Sequence, residues 1–199
     1  MSAQDKAELR RSLRRARQSL GKSERARAEL AANRFLKRHI RRRGRIGIYW
    51  PIGSELRLNG FIQTALTRGA KLYLPYIEPR SLRLWFTPYQ ADGRKAERRR
   101  SRGSLAIPQF SGSKIRAHRL TVLLVPLVGI DRQGYRLGQG GGYYDVTLAA
   151  LKGRLKPHTV GAGFACQLCG SLPHEAHDIA LDAFVSEAGM MRFSAQTPA

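Results

Sequence analysis

Acidic side chains are scarce in this chain: 14 Asp+Glu stand against 36 Lys+Arg in 199 residues, a formal net charge of +22. Cysteine is scarcer still, at two. Two cysteines do not make a disulfide framework, so a reducing cytoplasm is the expected setting. Long hydrophobic runs are missing as well. Val122 to Val125 with its flanks is the longest strongly apolar stretch, far too short to span a bilayer. The N-terminus is charged from Asp5 onward and lacks the apolar segment of a secretory signal. Asp5, Glu8 and Glu24 argue against a transit peptide, which is poor in acids. Aromatic residues are absent from the first 45 positions apart from Phe35, which removes the stacking platform of a single-strand nucleic-acid binder.

What is present describes a folded chain of about one domain's length. Hydrophobic residues make up 42% and charged residues 25%, which excludes disorder throughout. The positive charge is unevenly placed. Residues 1–45 hold 16 basic and 4 acidic side chains, residues 80–119 hold 11 and 2, and residues 120–199 hold 6 of each. A field of this kind favours anionic partners without naming them.

Leu9, Leu13, Ala16 and Leu20 share one face of a helix, with Arg10, Arg11, Arg14, Arg15 and Arg17 covering the rest. Gly21 ends that helix and Ser23 is placed to cap the next, whose apolar positions are Ala28, Ala32, Phe35, Leu36 and Ile40. Ile46, Ile48 and Trp50 then alternate as a strand halted by Pro51. A helix follows at Phe61 to Leu66, capped by Asn59 and ended by Gly69. Strands are expected at Lys71 to Leu74, before Pro75, and at Leu82 to Phe86. Residues 89–104 read as a mobile, Arg-rich surface loop. Thr121 to Val125 reads as a buried central strand, Tyr143 to Leu151 as a helix, and His158 to Phe164 and Asp182 to Ser186 as strands. The order predicts a single α/β domain over residues 1–199, a Rossmann-like open sandwich. Its sheet is mostly parallel with helices on both faces, and the basic helices of residues 1–44 pack on that core.

The most informative stretch runs from Gly129 through Arg136-Leu-Gly-Gln-Gly-Gly-Gly-Tyr-Tyr-Asp145. Four of the five residues from 138 to 142 are glycine, so the backbone can adopt conformations closed to other residues. Their N–H groups can converge on an anion at the start of the following helix, and Arg136 can offer a phosphate a bidentate guanidinium. Two familiar fingerprints fail here. No Lys-Ser or Lys-Thr follows the glycines, as a Walker A loop requires. Tyr143 stands where a dinucleotide fingerprint needs glycine, and no acid occurs between Asp145 and Glu175. A non-standard phosphate cradle is the reading, with a flexible glycine turn as the alternative.

Val125-Pro-Leu-Val-Gly-Ile-Asp131 followed by Gly134 to Asp145 resembles the signature of the 5-formyltetrahydrofolate cyclo-ligase family, also called methenyltetrahydrofolate synthetases. Lys6-Ala-Glu-Leu-Arg10, Ile48 to Glu55, His177-Asp178-Ile and Asp182 to Glu187 resemble flanking elements of the same family. The resemblance implies ATP-dependent cyclisation of 5-formyltetrahydrofolate to 5,10-methenyltetrahydrofolate, with ADP and phosphate released. It implies ATP and 5-formyltetrahydrofolate as partners, Mg²⁺ accompanying ATP, and a cytoplasmic monomer with no membrane contact. By the same resemblance Lys6, Arg10, Arg136, Leu137, Gly138, Gln139, Gly140, Gly141, Gly142 and Tyr143 hold ATP. Trp50, Ile52, Glu55, Arg57 and Tyr144 line the folate site. Arg136, Tyr144 and Asp145 serve the chemistry, and Asp145 and Asp178 hold the metal. Gly141 stands where some members carry Lys, so the phosphate charge falls to Arg136. Arg57 stands where an acid is common.

Two other readings compete. Cys166, Cys169, His174 and His177 have the composition of a zinc site, but Pro173 and the short spans leave little chain to wrap a tetrahedron. The alternative function is a basic RNA-binding protein on an α/β nucleotide-binding scaffold, with any RNA affinity electrostatic and non-specific.

Overall fold

A computed structural model describes residues 3–90, 98–100, 107–110, 112–152, 154–175 and 178–193. Four helices are present among them: α1 (Ala3–Gln18), α2 (Lys22–Leu36), α3 (Asn59–Thr67) and α4 (Tyr143–Ala149). The first six strands are β1 (Arg45–Gly47), β2 (Lys71–Tyr76), β3 (Trp85–Pro88), β4 (Arg98–Arg100), β5 (Ile107–Gln109) and β6 (Val122–Pro126). Then come β7 (Gly129–Ile130), β8 (Arg136–Leu137), β9 (His158–Ala162), β10 (Ala183–Ser186) and β11 (Gly189–Arg192).

Seven strands form one sheet in the order β11-β10-β9-β6-β1-β2-β3. The five inner strands pair in parallel, and β3 and β11 close the two edges antiparallel. The apolar run β6 lies at the centre, as its composition predicts. Its pleat divides the core: Leu124 faces one side, with Leu123 and Val125 on the other. On the Leu124 side, Ala28, Ala32 and Leu36 of α2 and Phe61 and Ala65 of α3 cover Ile46, Leu72, Val160 and Val185. On the opposite side, Leu148 at the end of α4 packs with Phe86, Leu127 and Phe184. Helices therefore lie on both faces of a mostly parallel sheet. No helix among the described residues is long and apolar enough to cross a membrane.

Several local expectations are corrected. Ser23 does not cap α2; Gly21 occupies that place with no side-chain bond. Nor does Asn59 cap α3. That task falls to Asn33 of the neighbouring α2, whose Oδ1 accepts from Phe61 N at 2.8 Å while its Nδ2 donates to Glu29 O and Arg57 O at 2.7 and 2.8 Å. A tertiary contact supplies what the local residue would have, and it fixes residue 57 against α2. Pro75 does not end β2, which runs on to Tyr76. Its missing N–H falls past the last β1 pair, Gly47 with Tyr73, and opposite Phe86, whose own backbone bonds point away to Ile115. β1 stops at Gly47, although Ile48 and Tyr49 remain buried. β3 begins at Trp85 rather than Leu82. Within the span read as a loop lies β4, which pairs antiparallel with β5 just beyond that span; residues 91–97 and 101–106 lie outside the described residues.

Candidate active site

The chain moves from β1 to β2 on one side of β1, then returns to place β6 on the other. Strand order reverses between β1 and β6, and loops leaving the carboxyl ends of such parallel neighbours diverge to leave a crevice. The loop after β1 carries Trp50 to Arg57. The chain beyond β6 carries the glycine-rich segment. Both halves of the expected site thus meet by topology.

The glycine segment does not follow the buried strand directly. A small antiparallel hairpin, β7 with β8, intervenes. Its turn is built around the buried Asp131, whose Oδ1 accepts from Gln133 N and Tyr135 N, both at 2.9 Å, and whose Oδ2 accepts from Leu172 N at 3.1 Å. Asp131 is therefore a structural acid. Residues 138–142 then lead into α4. Gly140 has φ 100° and Gly142, the residue before the helix, has φ 70°. Both values lie in the region that favours glycine. A Cβ at Gly138 or Gly140 would meet no atom within 4 Å.

Helix α1 lies against this loop. Arg10 Nε donates to Gly138 O at 2.9 Å, and Arg14 Nη2 donates to Gln139 Oε1 at 2.6 Å. Lys6, one turn earlier, sits 3.5 Å from Glu175 Oε1. Arg136 has a nearly buried side chain and donates to Asp145 Oδ1 and, at 3.5 Å, to Ile179 O. Burial lowers its pKa, and the nearby charges of Asp145 and Asp178 oppose that shift. Asp178 Oδ2 accepts from Glu175 N at 2.8 Å. Asp145 and Asp178 thus both lie close enough to act on Arg136. No group of three or more His, Cys, Asp or Glu occurs among the described residues.

Glu55 is buried, with 4% of its surface exposed. Its Oε1 accepts from Gln139 Nε2 at 2.8 Å and its Oε2 from Ile52 N at 3.0 Å. Burial raises its pKa; the bonds from Gln139 and Ile52 and the charge of Arg17 pull the other way. Tyr144 is half-buried, with its hydroxyl enclosed and without a hydrogen-bond partner. Burial and then the Glu55 charge raise that phenol's pKa, while Arg136 lowers it. Trp50 leaves 42% of its surface exposed. Arg57 is exposed; with Glu55, Arg25, Glu29 and Ser54 it lines a cleft of about 240 Å³.

The residues around Glu55 include some that sequence reasoning placed elsewhere. Arg17, expected on a solvated helix face, is 4% exposed. Its Nε donates to Ser54 Oγ at 2.9 Å and its Nη1 to Leu127 O at 3.4 Å. Arg25 donates to Ser54 O at 2.8 Å and to Arg17 O. The available signal was spacing: Arg17 is one helical turn beyond the buried Leu13. The cysteine reading finds no support in the geometry. Cys166 and Cys169 are half-buried free thiols whose pKa values burial raises, and the His174 ring stacks on Tyr135 at 3.6 Å. His177 lies outside the described residues.

Comparison with known proteins gives a consistent picture. Residues 2–187 match the model of the 5-formyltetrahydrofolate cyclo-ligase family. A protein of Escherichia coli K12 named 5-formyltetrahydrofolate cyclo-ligase is 34% identical over 143 residues, covering 71% of this chain and 76% of that one. Its namesake in Haemophilus influenzae is 27% identical over 185 residues, 91% and 97% of the two chains. Among solved structures, a 5,10-methenyltetrahydrofolate synthetase of Aquifex aeolicus superposes with a TM-score of 0.76 at 25% identity, over 98% of this chain and 95% of that one. One from Mycoplasma pneumoniae gives 0.73 at 22% identity, over 92% and 99%, and shares the fold.

Proposed function

The chain belongs to the 5-formyltetrahydrofolate cyclo-ligase family, and from that membership we propose that it closes 5-formyltetrahydrofolate into 5,10-methenyltetrahydrofolate at the expense of ATP, releasing ADP and phosphate. The observation that carries this reading is the bond from Gln139 to Glu55. It sets the glycine loop directly beside a buried carboxylate on the neighbouring strand's loop, so a phosphate cradle and a folate pocket would share a wall.

The chemistry asks for such a wall. The formyl oxygen is a poor leaving group until it takes the γ-phosphoryl of ATP; N10 of the folate then attacks the activated carbon and phosphate departs. Phosphoryl transfer of this kind depends on positioning and charge neutralisation rather than on a protein nucleophile. Residues 137–143 would cradle the phosphates, with Lys6 and Arg10 on α1 and Arg136 behind the loop. Arg136 is held by Asp145, so its guanidinium is already oriented before any ligand arrives. Trp50, Ile52, Glu55, Arg57 and Tyr144 would receive the folate. The unpaired, buried Tyr144 hydroxyl supports that placement, because a buried polar group left without a partner is costly and a substrate atom would satisfy it.

Asp145 and Asp178 would supply oxygen ligands to Mg²⁺, which when bound to ATP neutralises phosphate charge. Mg²⁺ is commonly held by one or two carboxylates together with substrate phosphates and water, so two acids suit the ion. The same reading makes the protein a cytoplasmic monomer.

The test is direct. Purified protein is incubated with 5-formyltetrahydrofolate and MgATP, and the methenyl product is followed by its near-ultraviolet absorbance. ATP-dependent product is expected. Folded protein that forms none at neutral pH overturns the assignment.

A further inference from the structure

Gln139 is bonded on both ends of its side-chain amide. Its Oε1 accepts from Arg14 Nη2 at 2.6 Å, and its Nε2 donates to Glu55 Oε1 at 2.8 Å. Only one orientation of the amide satisfies both neighbours, since a guanidinium has no acceptor and an ionised carboxylate has no donor. The second carboxylate oxygen accepts from Ile52 N at 3.0 Å. Both Glu55 oxygens are thus acceptors, which suits the ionised form.

The chain of bonds therefore runs from α1, through the glycine loop, to the backbone of the substrate loop. It crosses between elements far apart in sequence: 125 residues separate Arg14 from Gln139, and 84 separate Gln139 from Glu55. The loop has room at Gly138 and Gly140, where a Cβ would meet no atom within 4 Å. Any shift of residues 138–142 on a phosphate group carries Gln139 with it and alters how Glu55 is held. Arg17 from α1, Tyr49 after β1 and Tyr144 from α4 also act on Glu55, but none of them belongs to the glycine loop.

Resting on the functional reading above, we propose that Arg14 and Gln139 are positioning residues that couple the two substrates: ATP in the glycine loop holds Gln139 where it orients Glu55 for the folate, and folate on Glu55 holds the loop for ATP. The two effects are equal in size, because coupling between binding sites is reciprocal.

The experiment measures 5-formyltetrahydrofolate affinity by titration calorimetry, with and without the non-hydrolysable nucleotide AMP-PNP and Mg²⁺. In the wild-type protein the nucleotide tightens folate binding by about fivefold or more. In Gln139→Ala and Gln139→Leu that ratio falls to about one. In steady-state assays the KM for folate rises at saturating ATP and not at low ATP. A merely structural loss would lower the folded fraction and kcat and leave the coupling ratio intact. Arg14→Ala, which removes the donor to Gln139 Oε1, lowers the ratio as well, and adding it to Gln139→Ala lowers it no further. A wild-type ratio near one, or variants that keep the wild-type ratio, overturns the inference. Failure of the wild type to make methenyl product would instead overturn the functional reading.

Discussion

Replacing Arg17 by methionine keeps most of a buried side chain's volume and removes its charge and donors. Of the two groups Arg17 serves, Leu127 O is left satisfied, because Gln167 Nε2 donates to it at 2.8 Å. Ser54 Oγ loses its 2.9 Å partner, and Glu55 loses the nearest buried cation acting on it. A hydrogen bond from a charged donor contributes about 1.5–3 kcal/mol. The deserted carboxylate adds to that at neutral pH, until it protonates. A loss of about 2–4 kcal/mol follows, which in a chain of this size lowers Tm by roughly 5–12 °C. The deficit has a characteristic pH dependence. Burial already raises the pKa of Glu55, and without Arg17 it rises further, so the variant suffers most where Glu55 should be ionised and recovers as pH falls. Urea unfolding of both proteins, followed by circular dichroism between about pH 5 and 8, measures this. A difference below about 0.5 kcal/mol, the scale of an ordinary surface change, or one that does not vary with pH, refutes the role assigned to Arg17.

Other consequences can be measured with the same material. Gly140→Ala forces a side chain into φ 100° with no steric neighbour to blame. It should cost about 1–2 kcal/mol of loop strain and raise the KM for ATP by about tenfold, whereas Gly138→Ala carries no such strain. Arg136→Ala and Asp145→Ala should abolish turnover while the folded circular-dichroism spectrum persists; wild-type turnover in both removes the pair from the site. Asp182 accepts from Thr159 N and Oγ1, both at 2.7 Å. Burial works against its ionised form, but these bonds and Lys156 hold its pKa below the usual range. Its stabilising effect is present above the unfolded value of about 3.9 and fades as pH falls below it. Asp182→Asn should therefore flatten the acid limb of the stability profile, and an unchanged limb would refute this.

Periodic and continuous patterns were legible in the sequence, and so was the glycine loop. β6 announces itself because a strand buried on both faces has no polar alternation to confuse it, and α2 because its alanines and Leu36 keep helical spacing. Short or edge elements left weaker traces. β7 and β8 are two residues each, and their hairpin depends on Asp131 finding Leu172 N, 41 residues away. β11 has no buried face to set a pattern. The cap of α3 could not be read locally, since Asn33 lies in another helix. At the site, Glu55, Arg136, Gln139 and Asp145 stood in motifs and were singled out. Arg17 and Arg14 were hidden by their neighbours, because a buried arginine in a run of solvated ones differs from them only in what faces it. Part of the charge of the first helix is therefore committed to contacts within the chain, on Ser54, Gln139 and Gly138.

Those same contacts bear on the order in which the protein assembles. Arg10 reaches Gly138 across 128 residues, and Lys6 reaches Glu175 across 169. Loop closure over such spans is entropically disfavoured until intervening structure brings the ends together. On a chain made from its N-terminus, α1 has no seat until β6, the small hairpin and the glycine loop have been synthesised. The helix made first docks late, and its contacts with the glycine loop form only when it does.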